Sequence, residues 1–137
     1  MKNQHLFLLI ILFAGFACSD KEDNDPSIDP LIGTWIIEGI EQDGKTFAVN
    51  GEPCIKDSKL VVDGEILSLN ISAPVEPGSA TCQTEMISSG WENDNGTYYT
   101  IENNDRQPAN FSFSDNNTRI KITIKAGNAP LTLLFRK

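Results

Sequence analysis

Covalent chemistry near neutral pH rests on a histidine, an activated thiol or a carboxylate held out of water, and this chain is poor in all three. Its one histidine, His5, stands just before the apolar run at residues 6–16. That run reads as the core of a signal peptide, so the mature chain has no imidazole. Ser-His-Asp and Cys-His nucleophile activation are thereby excluded, as are imidazole-held zinc and iron. Carboxylate pairs remain, Glu92 with Asp94 and Glu102 with Asp105. General acid–base work needs one such carboxyl in an apolar pocket, but both pairs sit among asparagines and read as solvated loops. A calcium loop fails the EF-hand pattern, because Trp91 stands where the first ligand counted back from Gly96 belongs. A weak surface calcium site is the alternative for those oxygens. The expectation is no catalytic residue, no cofactor, no metal site and no enzyme activity.

Chemistry of another kind is written at the amino terminus. Lys2 precedes the apolar run, which is too short to span a bilayer, and Ala14, Gly15 and Ala17 lead into Cys18. The pattern resembles the lipobox of bacterial lipoproteins. That resemblance implies cleavage before Cys18 and acylation of Cys18 as the first mature residue, anchoring the protein to a membrane. Two or three acyl chains hold a protein stably where one does not. The alternatives are an ordinary secretory signal with a chance cysteine, or a short membrane anchor.

The segment after Cys18 (Ser19, Asp20, Lys21, Glu22, Asp23, Asn24, Asp25, Pro26) has no apolar residue and reads as a solvated tether. It is similar to the charged export signal of surface lipoproteins of the Bacteroidetes, which implies an outer-membrane protein facing the cell exterior; a plain spacer is the alternative. With Cys18 taken, Cys54 and Cys82 form an even pair in an oxidising compartment and read as one disulfide. They lack the CxxC spacing of a redox or metal pair. Eleven basic residues stand against nineteen acidic ones. Such an excess of negative charge argues against nucleic-acid partners and against adsorption to anionic headgroups.

Whatever these residues do must be positioned by strands. Helical periodicity is nearly absent, and alternation of period two recurs. Ile120, Ile122 and Ile124 alternate with charged or hydroxyl residues; Phe111 and Phe113 alternate with serines; Leu67, Leu69 and Ile71 alternate with serine and asparagine. Turn pairs fall between the runs: Asp43-Gly44, Asp63-Gly64, Asn95-Gly96, the run Asp115 to Asn117, and Gly127-Asn128. Asp-Gly and Asn-Gly supply the positive φ of type I′ hairpins. Strands are expected near 31–40, 45–49, 58–63, 65–73, 81–90, 96–102, 109–114, 118–126 and 130–136. A meander this long avoids exposed edges most simply by closing. The fold expected is all-β, a small antiparallel up-and-down β-barrel of about eight strands. Its divisions are a signal peptide at 1–17, the acylated tether at 18–30 and the barrel at 31–137.

At the start of that barrel, Gly33-Thr34-Trp35 resembles the G-x-W opening of lipocalins and lipocalin-like domains. The resemblance implies that Gly33 lets the first strand enter beneath the barrel and that Trp35 plugs its closed end. It also implies that Arg136, in the last strand, packs across that ring. The bland reading of this trio is a packed core. In a closed barrel the inward row would include Leu67, Leu69, Phe111, Phe113, Ile120, Ile122 and Ile124, either lining a cavity or filling it. The function expected is non-catalytic binding of a small apolar or amphipathic ligand. The alternative is a packed barrel acting through its outer surface as an interaction or accessory subunit. Trp91, Tyr98 and Tyr99 could edge a mouth or a stacking surface, though strand aromatics more often pack.

Overall fold

The alternating runs form ten antiparallel strands in the computed structural model, which describes residues 28–126 and 129–137. In chain order they are β1 (Gly33–Gln42), β2 (Lys45–Ala48), β3 (Lys59–Val62), β4 (Ile66–Pro74) and β5 (Cys82–Asp94), then β6 (Thr97–Glu102), β7 (Asp105–Pro108), β8 (Phe111–Ser114), β9 (Arg119–Ala126) and β10 (Ala129–Arg136). One 3-10 turn, Ile55–Asp57, precedes β3. The signal peptide, Cys18 and the tether up to residue 27 lie outside the described residues, as does the Gly127-Asn128 turn. Asp29 and Pro30, expected to end the tether, are tied into the fold by hydrogen bonds.

The strands make one sheet in the order β7-β6-β5-β4-β3-β1-β10-β9-β8, with β2 paired to β1. First and last strands pair, Ile37 opposite Phe135 and Ile40 opposite Leu133, so the sheet curls into a half-barrel. Its two terminal strands are consecutive in the chain. The Ala109 N–H still donates to the Tyr98 carbonyl of β6, while the Asn110 carbonyl already accepts from the Thr123 N–H of β9. The chain thus passes from one sheet end to the other through two residues, and β7 and β8 lie in series rather than side by side.

Turn chemistry sets the register. Asp43 and Gly44 take φ of 51° and 73°, and Asn95 and Gly96 take 52° and 91°, the left-handed pairs expected of type I′ hairpins. The Asp63 turn works otherwise. Its carboxylate accepts from the Glu65 and Ile66 N–H groups at 2.8 and 2.7 Å, and these bonds hold the Asp63 pKa below its ordinary value. Sequence reading missed β7, because Asn103 and Asn104 look like a solvated loop. Both residues adopt positive φ, 49° and 65°, and turn the chain into a hairpin.

Alternation also sorts the faces. Trp35, Leu60, Leu67, Ile120 and Phe135 on the concave side form a buried core. The convex side carries ion pairs such as Arg119 with Glu38 and Lys121 with Glu41. Exposed pairs like these contribute about 0–1 kcal/mol each, so the concave core holds the fold.

Candidate ligand cleft

One end of the half-barrel is filled. Trp35 is wholly buried, and its Nε1–H donates to the Leu31 carbonyl at 2.8 Å. Its ring lies 6.1 Å from Phe113, and Tyr98 packs 5.6 Å from both Phe111 and Phe113. Asp29 locks this end from outside. Its carboxylate accepts from the Leu31 N–H, the Tyr98 hydroxyl at 2.9 Å and the Asn93 amide at 2.6 Å. Burial first, and then the Asp29 bond and charge, push the Tyr98 pKa far up.

The cation over Trp35 is Lys137, not Arg136. The Lys137 ammonium sits 4.6 Å from the ring centroid and donates to the Pro30 carbonyl at 2.7 Å. Arg136 lies opposite Ile36 and Arg119 on the exposed convex face, because the alternation of β10 gives the inward place to Phe135. Burial lowers the Lys137 pKa, with the Asp29 charge acting in the opposite direction. Gly33 adopts φ of 138°, and a Cβ there would meet the Lys137 Cε at 3.1 Å. Gly33 therefore leaves the passage through which Lys137 reaches the ring.

The other end is hollow. A cavity of about 150 Å³ opens between β1, β4, β9, β10 and the 3-10 turn. Its walls include Ile40 of β1, Leu69 and Ile71 of β4, Ile124 of β9 and Leu131 of β10. Ile55 closes one side from the 3-10 turn, held there by the Cys54–Cys82 disulfide, whose Cα atoms are 5.4 Å apart. That bond closes a separation of 28 residues and removes about 3–4 kcal/mol of unfolded-state entropy by the loop formula. The polar groups on the wall, Ser58 and Ser72, are occupied: the Ser58 hydroxyl accepts from the Ser72 N–H at 2.9 Å, and the Ser72 hydroxyl pairs with Thr84 at 2.8 Å.

Of the seven residues expected to line an interior, Leu69 and Ile124 border this cleft. Leu67, Phe111, Phe113, Ile120 and Ile122 belong to the packed core instead. Sequence reading missed Ile40 because it stands three residues after Ile37 and breaks the alternation. A shift in register between Ile37 and Gly39 restores it to the inner face. Gly39 permits the close approach, since a Cβ there would lie 3.2 Å from both the Leu134 side chain and the Phe47 carbonyl. Cys54 was the available signal for Ile55, its neighbour.

The remaining candidates are structural in their placement. Arg106 pairs with Glu92 and Asp94 and lies 3.6 Å over Tyr99. Trp91 stacks on Tyr98 and donates its indole N–H to the Asp63 carbonyl. Among the described residues no group of three potential metal ligands converges. No family model matches the chain, and no curated protein or solved structure matches it either.

Proposed function

We propose that this protein is a lipoprotein anchored in the outer membrane through Cys18 and facing the medium. In this reading its half-barrel holds a small apolar or amphipathic ligand without chemistry upon it. The observation that carries the ligand reading is the hollow end. An apolar cleft open at its rim and walled by aliphatic side chains and Phe135, with satisfied polar groups, offers burial and little else. The protein expressed from Ser19 onward carries the whole described sheet and needs no detergent. Titrating it with hexan-1-ol should shift the methyl resonances of Ile71 and Ile124 saturably and leave Ile120 unmoved. No saturable shift would remove the ligand reading. Anchorage is tested on membrane-purified protein, whose N-terminal peptide should begin at Cys18 and carry a lipid-sized mass; an unmodified cysteine there would refute it.

A second reading, an interaction subunit, is favoured by an edge of β5 that no strand pairs among the described residues. β6 pairs only with its second half, from Gly90 onward. Over residues 82–89 the Trp91–Glu65 and Val75–Thr81 bonds set the parity of the β4 ladder, which directs the N–H and C=O groups of Thr84, Met86 and Ser88 away from β4. Met86 and Ile87 on this edge are 65% and 47% exposed. An unprotected edge of that length is a template for another strand.

A further inference from the structure

The cleft does not end at its apolar wall. Ile71 and Ala73 also border a shallower concavity lined by Gln83, Thr84 and Glu85 of β5. Register makes the two continuous on one face, since Ile71 stands opposite Glu85 and Ala73 opposite Gln83. The combined site is therefore amphipathic along its length, with an aliphatic floor and a carboxylate and amide at the rim.

Size and charge then limit the guest. A cavity near 150 Å³ lined by apolar side chains is of the size that holds a benzene ring, so the buried part is one small ring or a chain of about six carbons. Glu85 is the one ionisable residue among those lining either space, and it makes no ion pair among the described residues. The cations adjacent in sequence to the apolar wall do not offset it. Lys56, beside Ile55, stands 4.0 Å from the Asp57 carboxylate, and Lys59, Lys125 and Arg136 follow Ser58, Ile124 and Phe135 onto the opposite, exposed face of their strands.

From this geometry we infer that the site selects a small amphiphile with a cationic head, such as a short alkyl- or arylamine, over one with a carboxylate head. The inference rests on the ligand reading above and adds the head group to it. The tail displaces water from the aliphatic floor, while the ammonium lies beside the Glu85 carboxylate and donates to it and to the Gln83 side-chain oxygen. A carboxylate head in the same place would face Glu85 directly, at a like-charge cost.

Three six-carbon probes separate these statements: hexylamine, hexan-1-ol and hexanoate, titrated at pH 7 and low salt into the protein expressed from Ser19. Hexylamine should bind about tenfold more tightly than hexanoate, with hexan-1-ol between them, as expected for one partly exposed charge. Glu85→Gln should bring the amine and carboxylate to within about twofold and leave hexan-1-ol unchanged. Glu85→Lys, which reverses the sign of the charge at the rim, should invert the order. Hexanoate binding as tightly as hexylamine overturns the head-group inference while the cleft remains a ligand site. A preference that survives Glu85→Gln overturns it too, by assigning the effect to the general negative charge of the chain. Failure of all three probes to bind removes both the inference and the ligand reading on which it rests.

Discussion

On β9, Ile120 is 1% exposed and lies opposite Phe135 within the packed end, whereas Ile124, four residues along the same face, borders an open cleft. Both are isoleucines on one straight ladder, so the difference comes from what stands around them. Near Ile120 the concave face carries Trp35, Phe113, Tyr98 and Phe135, whose rings fill the space between opposing strands. Near Ile124 it carries Ile40, Ile71, Ala73 and Leu131, which are too small to meet across the same span. Cross-bracing follows the same division. Asp29, Lys137 and the Trp91 indole tie the aromatic end with hydrogen bonds, while the hollow end is braced by the Cys54–Cys82 disulfide and the Ser58–Ser72 and Ser72–Thr84 hydrogen bonds. The clustering of Trp35, Tyr98, Phe111 and Phe113 fills one end of this half-barrel, and only Phe135 carries aromatic volume to the border of the hollow end.

The largest expected effect breaks the packed end. Trp35→Ala removes a wholly buried ring together with its hydrogen bond to Leu31, and should cost about 3–5 kcal/mol. That is a large share of the about 5–15 kcal/mol that holds an ordinary domain folded. Leu131→Ala, a truncation of comparable chemistry at the cleft, should cost about 1 kcal/mol, because its side chain already borders empty space. Urea denaturation of both variants measures this directly. Equal costs would mean that the two ends are packed alike.

A smaller effect sharpens the account of the lock outside the aromatic end. Tyr98→Phe keeps the ring and deletes the hydroxyl that donates to Asp29, with an expected loss of about 1.5 kcal/mol for a hydrogen bond to a charged group. Its pH signature has a definite sign. The Tyr98 pKa is raised in the fold above the ordinary 10.0, so its contribution is whole below about pH 10 and is lost as pH rises beyond, where the unfolded chain ionises first. Lys137, lowered from 10.5 by burial, acts in the opposite sense: its penalty is relieved as pH climbs toward 10.5. Lys137 is present in both proteins and cancels in their difference. The stability gap between wild type and Tyr98→Phe should therefore narrow above pH 10, and a gap constant to pH 11 would remove the Asp29 bond from the account.

Much of this division was legible in the residues, and the illegible parts have physical causes. Alternation in β4, β8 and β9 marked the faces, and the Asp-Gly and Asn-Gly pairs marked most hairpins, because both signals are local. Cys54 and Cys82 were paired by elimination and are bonded. Lys137 was missed because reaching Trp35 depends on a side chain passing Gly33, which no spacing rule encodes. β7 was missed because Asp105, Arg106 and Gln107 have no apolar face and pair only through backbone and Arg106 contacts. The cleft itself was invisible. A row of isoleucines reads the same whether a ring or empty space stands opposite, and opposition is settled only by long-range register.

The smallest expected change in stability, at Ile124, belongs to the sharpest comparison, since one substitution is made at two positions of one strand. Ile120→Phe adds volume where Phe135 and Trp35 already fill the space, and overpacking of that kind should cost about 1–3 kcal/mol. Ile124→Phe adds the same volume beside an open cleft, where a ring can lie against Ile40 and Leu131 without displacing them. Filling such a space commonly stabilises by about 0.5–2 kcal/mol, so the variant should be neutral or slightly more stable than the parent. The denaturant midpoint reads both changes at an unchanged slope, which confirms that the extent of the folded core is the same. Hexan-1-ol then supplies the functional half of the test. Ile124→Phe occupies the space that the alcohol would take and should abolish its binding while the fold holds, whereas Ile120→Phe should weaken the fold and leave the cleft able to bind. If Ile124→Phe destabilises as much as Ile120→Phe, the hollow end is already full and the contrast between the two ends is lost.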